Sequence, residues 1–463
     1  MNFLTGKWKW LLGITVMLAV ALYSSIPAFS APSIPLRGVV EGFYGTPWSQ
    51  ADRLSMLKFC HEHKLNAYIY APKDDAYHRA KWREMYPADK MAELKALIDE
   101  SKKQQVKFIF AVSPGLDIHF AGQEAEQDKQ AMQAKLTAMY DMGVRDFAIF
   151  FDDIKNKDGK GQAEFLNWVN ANFIAQHADI NPLIAVPTEY FRQDMESEGQ
   201  IKKYTKDFSS TLDKDILVLY TGEKVVPDGL RDIDYVRANK LYGRQLGIWW
   251  NYPVSDYLEA KLALGPVEKL PATSTIPAIF YNPMKHAELS KISLATGAEY
   301  ALNPGKYNAE KAWHNAIKAQ YGSLAADMEA FADQSQHMVV SWAVIGPEDG
   351  AALRRQMNAY WQNPNDANRE KLTADLSKLD RSILTLQKEL SPKVLRECRP
   401  QLEQLHRIVH ADMLGLEVLA GDTGKEYEFA KAVEEVKAHE KEALVSEKTA
   451  RAFLAELSKK MNS

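Results

Sequence analysis

Eight short apolar runs in the first two-thirds of the chain constrain its fold more than any other feature of the sequence. Most are continuous segments rich in Val, Ile, Phe and Tyr, which is typical of strands buried on both faces of a parallel sheet. Many of them end in polar or acidic residues. The runs cover residues 37–45, 66–73, 106–115, 146–154, 182–190, 215–222, 245–253 and 276–284.

Segments with helical periodicity separate most of these runs. Residues 49–52 resemble an N-terminal capping box, and residues 91–103 and 130–142 are predicted helices. Strands that alternate with helices predict an α/β fold, either a (β/α)₈ TIM-like barrel or a doubly wound open sheet. We favour the barrel because the runs number eight and because polar residues gather at their C-terminal ends, where the active sites of such barrels form.

The sequence pattern changes after about residue 305, where strand-like runs become scarce. An apolar stripe with helical spacing runs from Leu372 to Leu390, and Leu402 to Val409 continue it after a Ser-Pro break. Residues 426–460 are charged and helical in pattern. We predict a barrel over residues 31–305 followed by a C-terminal α-helical bundle domain over residues 306–463.

The first 30 residues are typical of a secretory signal peptide. Lys7 and Lys9 precede an apolar stretch that is short for a bilayer span, and Ala28-Phe29-Ser30 places small residues before a cleavage point. We therefore expect the protein to be exported, either periplasmic or secreted. An uncleaved N-terminal anchor is the alternative.

Charge and cysteine content argue against several other classes of protein. The net charge is −4, and basic residues are interleaved with acidic ones, so no nucleic-acid partner is expected. Cys60 and Cys398 lie in different predicted domains, each on a predicted helix, and we expect both thiols to be unpaired. No Cys/His cluster has zinc spacing, and we expect no metal and no cofactor.

The fourth run ends in a carboxylate pair, Asp152-Asp153. Neighbouring side chains on a strand point to opposite faces, so both acids can meet one ligand only if the strand ends or bends there. Repulsion would keep one carboxyl protonated as a general acid while the other stays an anion, which suits glycosidic bond cleavage. Magnesium binding, or a helix cap combined with a salt bridge, would equally account for the pair taken alone.

Aromatic and amide residues at the other strand ends are the second indication of a sugar site. Flat rings bind the apolar faces of sugars, and amides and carboxylates bind their hydroxyls. Most of these rings are equally compatible with core packing, but Trp249 with Asn251 and Asp256 favours a site. The set comprises residues 43–44, 47–48, 68, 70, 190, 249–252 and 281–282.

Eight blocks stand in order between residues 37 and 305: residues 38–49 (GVVEGFYGTPWS), 68–75 (YIYAPKDD), 113–118 (SPGLDI), 147–154 (FAIFFDDI), 187–190 (PTEY), 220–222 (YTG), 249–257 (WWNYPVSDY) and 282–284 (NPM). In this order they resemble glycoside hydrolase family 84, the O-GlcNAcase and hyaluronidase-like β-N-acetylglucosaminidases, of the bacterial type. The sequence departs from the family at Val186, where many members have Cys.

The resemblance implies a retaining exo-β-N-acetylglucosaminidase with substrate-assisted catalysis. The 2-acetamido carbonyl of the sugar attacks its own anomeric carbon and gives an oxazoline. Asp152 would hold and polarise the acetamido N–H, and Asp153 would protonate the leaving oxygen and then deprotonate water. The expected substrate is a carbohydrate or glycoprotein with terminal β-linked GlcNAc. No membrane partner is expected beyond the possible anchor.

The resemblance also implies a set of substrate-binding residues. The backbone of Gly42 and the side chains of Lys73, Asn251, Asp256 and Asn282 would hold sugar hydroxyls or reacting groups. The acetamide pocket would be lined by Tyr190, Thr221, Val225 and Trp249. Alternatives are a salt bridge from Lys73 to Asp74 or Asp75, loop packing for Thr221 and Val225, and a structural role for the strand acid Glu41.

Two other functions stay open at this point. One is a catalytically silent sugar-binding or scaffold protein that keeps the pocket. The other is a metal-dependent hydrolase using Asp152, Asp153 and Asp74, since an all-oxygen magnesium site needs no His.

Overall fold

The computed structural model describes residues 32–461, and the predicted signal peptide lies outside this range. The strands of the described residues are β1 (Leu36–Glu41), β2 (Ala67–Tyr70), β3 (Lys107–Val112), β4 (Asp146–Phe150), β5 (Ile184–Val186), β6 (Glu196–Ser197), β7 (Gln200–Ile201), β8 (Leu217–Tyr220), β9 (Gly247–Trp250), β10 (Ala278–Tyr281), β11 (Met338–Val340) and β12 (Ala343–Ile345).

Eight of these strands form a closed parallel barrel in the order β1-β10-β9-β8-β5-β4-β3-β2. Seven barrel strands lie within their apolar runs and β1 begins one residue before its run, so the predicted barrel is confirmed and the open sheet is wrong. The pairs β6–β7 and β11–β12 are short antiparallel hairpins outside the barrel.

The α-helices of the described residues are α1 (Gln50–Glu62), α2 (Ala88–Lys103), α3 (Gly122–Asp141), α4 (Gly159–Asn172), α5 (Arg192–Met195), α6 (Lys203–Thr211), α7 (Asp232–Tyr242), α8 (Ala287–Leu302), α9 (Ala309–Tyr321), α10 (Ala325–Ala332), α11 (Ala351–Gln362), α12 (Asp366–Glu389), α13 (Pro392–Leu419), α14 (Glu426–Ala438) and α15 (Ala450–Met461). Short 3₁₀ turns cover Ile174–Gln176, Asp256–Leu258, Pro304–Lys306, Gly322–Leu324 and Thr423–Lys425.

The predicted capping box starts α1. The Ser49 hydroxyl accepts a hydrogen bond from the backbone N–H of Asp52, and the Asp52 carboxylate accepts one from the N–H of Ser49, each at 3.2 Å. These bonds satisfy two donors that the first helical turn leaves without partners. The two predicted helices between strands correspond to α2 and α3, but α3 begins eight residues earlier than the sequence indicated.

The strands carry two layers of apolar side chains because alternate residues face opposite sides. One set fills the barrel interior and includes Val40, Ile69, Ile109, Phe150 and Phe280. The other set packs against the surrounding helices in the larger core. Polar residues therefore concentrate beyond the C-terminal ends of the strands.

Glu41 is the exception inside this apolar frame, since it is a fully buried carboxylate on β1. The guanidinium of Arg53 on α1 donates two hydrogen bonds of 2.8 Å to it. The backbone N–H of Trp48 and the hydroxyl of Tyr68 on β2 also donate to it. These contacts join β1, β2 and α1, as the structural interpretation of Glu41 requires.

The C-terminal helical region is confirmed. The leucine-rich stripe is buried on α12 and packs against α13, where Leu402 and Leu405 are also buried. The sequence did not indicate the β11–β12 hairpin. Residues 426–460, which have a helical pattern, form most of α14 and α15, and residues 439–449 connect these two helices. The boundary at residue 305 stays a prediction.

A buried lysine joins the barrel to this helical region. Lys261, which follows β9, forms ion pairs with Asp349, just before α11, and Glu447, just before α15. The other oxygen of Asp349 accepts the backbone N–H groups of Gln336 and His337, which lead into β11. Lys261 thus fixes the base of the β11–β12 hairpin.

The two cysteines are unpaired, as predicted. Cys60 on α1 and Cys398 on α13 are both buried free thiols. Within residues 32–461, no helix has the length and apolar character needed to cross a membrane.

Candidate active site

A cavity of about 560 Å³ opens at the C-terminal ends of the barrel strands. Its volume suits a ligand the size of one or two sugar units. The structure brings all of the predicted site residues to its wall; their individual roles stay predictions. They are Gly42, Lys73, Asp152, Asp153, Tyr190, Thr221, Val225, Trp249, Asn251, Asp256 and Asn282.

The end of β4 explains how two adjacent acids reach one cavity. The strand stops at Phe150, and Asp153 has a left-handed backbone with a φ of 54°. This turn breaks the alternation of side chains that a continuous strand would impose. Asp152 is 8% exposed, whereas Asp153 lies exposed towards the opening. The two carboxylates therefore have different surroundings.

Asp152 is held by one cation and keeps one oxygen free. Its Oδ2 forms a buried ion pair with the ammonium of Lys73, while its Oδ1 is buried without a hydrogen-bond partner. The alternative of a Lys73 salt bridge to Asp74 or Asp75 is wrong. Asp74 accepts the backbone N–H of Gly45 at 2.9 Å, and Asp75 accepts the hydroxyl of Tyr70 at 2.6 Å.

Two phenols hold the carboxylate of Asp153. The hydroxyl of Tyr190, after β5, donates to Oδ1 at 2.7 Å, and that of Tyr44, after β1, donates to Oδ2 at 2.8 Å. Burial and the nearby negative charge of Asp153 raise the pKa of both phenols. Both hydroxyls therefore remain protonated donors across the neutral range.

Amide groups line the wall formed by β9 and β10. The indole N–H of Trp249 donates to Oδ1 of Asn251 at 2.8 Å, and Nδ2 of Asn282 donates to the same oxygen at 3.0 Å. Nδ2 of Asn251 donates to the carbonyl of Val225 at 2.9 Å. Oδ1 of Asn282 is buried without a partner, so it can accept a hydrogen bond from a ligand.

Gly42 lets the chain pass close to this wall. A Cβ on Gly42 would lie 2.4 Å from Cζ2 of Trp249, far inside van der Waals contact. Only glycine therefore allows β1 and the indole to approach this closely. The backbone of residue 42 is thereby exposed to the cavity.

Asp256 and the loop after β8 complete the predicted set. Oδ2 of Asp256 accepts the backbone N–H of Tyr44 at 2.8 Å, and burial raises the pKa of Asp256. The hydroxyl of Thr221 donates to the carbonyl of Lys224 at 2.7 Å, which closes the turn that brings Val225 to the cavity. Thr221 and Val225 thus both pack within the loop and line the cavity, as does Val186, the position that departs from the family.

Eight residues of the wall were not among the predicted site residues, and Tyr44, Tyr257 and Trp342 are three of them. The run containing Phe43 and Tyr44 was noted, but nothing in it distinguishes the buried ring of Phe43 from the ring that faces the cavity. Trp342 comes from the turn between β11 and β12, and its ring centroid lies 5.1 Å from that of Tyr257. No local signal in the sequence points to Trp342.

The acids do not assemble into a metal site among residues 32–461, where no group of three or more His, Cys, Asp or Glu side chains is arranged to hold an ion. Asp74, which the metal-dependent alternative needs, lines a separate cavity of about 360 Å³ beside α1 and α2.

Two family models match the chain. Residues 37–333 match the family described as beta-N-acetylglucosaminidase, and residues 352–454 match the family described as hyaluronidase post-catalytic domain-like. The proteins of Rattus norvegicus and Mus musculus named Protein O-GlcNAcase are each 33% identical over 275 residues. That alignment covers 57% of this chain and only 30% of each relative.

Solved structures share the whole arrangement of barrel and helical region. The structure of CpGH84B is 37% identical, with a TM-score of 0.87 over 92% of this chain and 77% of that chain. A mutant of the Thermobaculum terrenum O-GlcNAc hydrolase is 27% identical, with a TM-score of 0.80 over 92% of this chain and 94% of that chain.

Proposed function

The chain belongs to the β-N-acetylglucosaminidase family, glycoside hydrolase family 84, and on this premise we propose that it is a retaining exo-β-N-acetylglucosaminidase with substrate-assisted catalysis. The sugar's own 2-acetamido carbonyl is the nucleophile, and the intermediate is an oxazoline. The observation that carries this proposal is the unpaired oxygen of Asp152.

Oδ1 of Asp152 can accept a hydrogen bond from a donor that a bound substrate supplies. A buried carboxylate oxygen without a donor costs about 1–3 kcal/mol or more, so a ligand that brings a donor is favoured. The acetamido N–H of a bound sugar is such a donor. Lys73 forms a buried ion pair with Asp152, and the carboxylate stabilises the positive charge that develops as the acetamido oxygen attacks the anomeric carbon.

The surroundings of Asp153 fit a general acid and base. Its carboxyl faces the opening of the cavity, where the leaving group of the substrate would lie. In the first step it gives a proton to the glycosidic oxygen as the bond to the anomeric carbon breaks. In the second step it takes a proton from the water that opens the oxazoline, which restores the acid. The phenols of Tyr44 and Tyr190 orient it between the two steps.

The rest of the wall supplies recognition. The free oxygen of Asn282 and the carboxyl of Asp256 can accept bonds from sugar hydroxyls, while Trp249, Thr221 and Val225 border the space for an acetamide methyl. The proposed substrates are glycans or glycoproteins with terminal β-linked GlcNAc. Because residues 1–30 have the pattern of a signal peptide, we propose that these substrates are met outside the cytoplasm.

Hydrolysis of aryl 2-acetamido sugars tests the proposal. We expect Asp153→Asn to lower kcat/KM by about 10²–10⁴-fold on substrates with poor leaving groups, which need protonation, and much less on activated ones. Asp152→Asn is expected to lower the rate on all of them, because a neutral amide stabilises the oxazolinium charge poorly.

Two further measurements identify the nucleophile. Replacing the acetamido group by trifluoroacetamido, a weaker nucleophile, is expected to slow turnover, and an acetamide-derived thiazoline is expected to inhibit tightly. Equal loss on good and poor leaving groups for Asp153→Asn would contradict the acid role. A sugar trapped covalently on the protein during turnover would defeat the substrate-assisted mechanism.

A further inference from the structure

Arg79 contacts the segment that carries the proposed general acid, although no step of the mechanism above uses it. It lies on the loop after β2, and its guanidinium has two partners there. Nη2 donates to the backbone carbonyl of Asp153 at 3.3 Å, and Nη1 donates to the hydroxyl oxygen of Tyr44 at 3.2 Å. The guanidinium carbon lies 5.5 Å from the centre of the Tyr44 ring.

The backbone at Asp153 is one that needs support. A left-handed φ of 54° costs free energy for a residue with a side chain, and it persists only where the surroundings enforce it. Asp153 lies in a turn after β4 and outside any helix or strand. The bond from Arg79 to its carbonyl is a contact from a different loop that holds this backbone.

The direction of the Tyr44 hydroxyl also depends on Arg79. A phenol oxygen has one hydrogen to donate and lone pairs to accept. Because Arg79 can only donate, Tyr44 must accept from it, and the phenolic hydrogen is left to point at Oδ2 of Asp153. Arg79 thus acts on both the main chain and the carboxylate of the same residue.

The nearby Arg83 has the partners that are typical of a structural arginine. Arg83 pairs with the carboxylates of Asp117 and Asp128. Among the residues that the structure describes, Arg79 has no carboxylate within salt-bridge distance, and its charge faces the Tyr44–Asp153 pair instead.

We propose that Arg79 is a positioning residue for the general acid, acting on Asp153 through its carbonyl and through Tyr44. This inference rests on the proposed function, because it assumes that Asp153 protonates the leaving group. Small errors in the placement of an acid reduce proton transfer strongly, so the effect of Arg79 grows with the need for protonation.

The test is a series of aryl β-GlcNAc substrates that runs from activated to unactivated leaving groups. We expect Arg79→Met to lower kcat/KM about 10–100-fold on unactivated substrates and about 3-fold or less on the most activated ones. The inhibition constant of the thiazoline is expected to stay within about 3-fold, because Arg79 does not line the sugar cavity. If the role of Arg79 were only structural, Arg79→Met would lower kcat/KM by the same factor on all substrates and would also weaken binding of the inhibitor.

Two variants separate charge from geometry. Arg79→Lys keeps the charge but lacks the two separate guanidinium nitrogens that reach Tyr44 and the carbonyl of Asp153, so partial recovery on the unactivated substrates is expected. Lys81→Met is the matched control, because it removes an exposed cation from the same loop. Lys81 pairs with Glu84, and its loss is expected to leave the leaving-group dependence unchanged. Thermal unfolding of each variant verifies that it folds. If Arg79→Met does not fold, Tyr44→Phe gives a second measurement of the leaving-group dependence.

The outcomes distinguish the two proposals. If the wild-type protein hydrolyses none of the series, the proposed function fails. If the wild type is active and both Arg79→Met and Tyr44→Phe leave the leaving-group dependence unchanged, the role of Arg79 is overturned while the function stands. The positioning role is supported if kcat/KM depends more steeply on the leaving group in Arg79→Met and if Arg79→Lys partly restores the wild-type dependence.

Discussion

At the scale of single residues, the site depends on buried polar side chains that lack a hydrogen-bond partner and on a glycine whose position has no room for a side chain. Oδ1 of Asp152 and Oδ1 of Asn282 are buried acceptors without protein donors, and a ligand rich in N–H and O–H groups can satisfy both. Gly42 contributes by having no side chain, because the indole of Trp249 occupies the space a Cβ would need.

Gly42→Ala is therefore expected to damage both binding and stability. The added Cβ, 2.4 Å from Cζ2 of Trp249, must displace the indole and with it the amide of Asn251. We expect a loss of about 1–3 kcal/mol in the free energy of unfolding, typical of overpacking, and a raised KM. Chemical denaturation and steady-state kinetics measure the two effects.

A second glycine provides the control. Gly421 has a φ of 101° with open space around its Cβ position, and it lies at the end of α13, outside the cavity. Gly421→Ala is expected to cost about 1 kcal/mol through backbone strain and to leave KM unchanged. An unchanged KM in Gly42→Ala would show that Trp249 can move without loss of the site.

At the scale of elements, β1 and α1 are joined by polar contacts that fix where the loop between them lies. The capping box sets the first turn of α1, and Arg53 on that helix reaches back to Glu41 on β1. The loop between the two elements carries Tyr44, whose backbone binds Asp256 and whose hydroxyl binds Asp153. The position of this loop thus depends on a buried ion pair between the strand before it and the helix after it.

Removal of one partner of that pair is expected to be costly. Arg53→Met leaves the carboxylate of Glu41 fully buried without a cation, and breaking a buried pair in this way typically costs about 3–5 kcal/mol. Urea unfolding of Arg53→Met and of the double variant with Glu41→Gln measures this. We expect the double variant to regain part of the loss, because a neutral amide is cheaper to bury. A double variant no more stable than Arg53→Met would contradict this account.

The elements that the sequence predicted correctly are those with a local cause. Each barrel strand follows from a continuous apolar run, and the start of α1 follows from the chemistry of Ser49 and Asp52. The turn after β4 brings Asp152 and Asp153 to one cavity. The sequence showed only that such a turn was needed if both acids were to meet one ligand. Trp342 was missed because its place at the cavity depends on Lys261, which lies far from it in sequence, and on Asp349, which lies outside the β11–β12 hairpin.

At the scale of the whole molecule, the barrel and the helical region meet through charged groups as well as apolar ones. Lys261 binds acids near both α11 and α15. On another side, Lys393 of α13 pairs with Asp52 at 2.8 Å and with Glu288 at 2.7 Å. Beside it, the carboxylate of Glu397 accepts the backbone N–H groups of Glu288 and Leu289 at 3.2 and 2.9 Å. A helix of the C-terminal region thereby caps the barrel helix α8.

This contact is expected to make stability depend on pH. Burial raises the pKa of Glu397 from 4.5 to about 7, more than the two N–H bonds from α8 lower it. Between those values the folded protein binds a proton that the unfolded chain has released, so the free energy of unfolding falls as pH rises through this window. The loss is complete above pH 7 and absent below pH 4.5.

Glu397→Gln removes this titration while keeping an oxygen that can accept one of the two N–H bonds. We expect the free energy of unfolding of the variant, relative to wild type, to improve by about 3 kcal/mol between pH 4.5 and pH 7. Urea unfolding at several pH values measures the difference, and Glu403→Gln, the same change at a more exposed position of α13, is the control. Parallel curves for wild type and Glu397→Gln would mean that Glu397 is ionised in the folded protein throughout this window, and that the N-terminus of α8 stabilises its charge enough to offset burial.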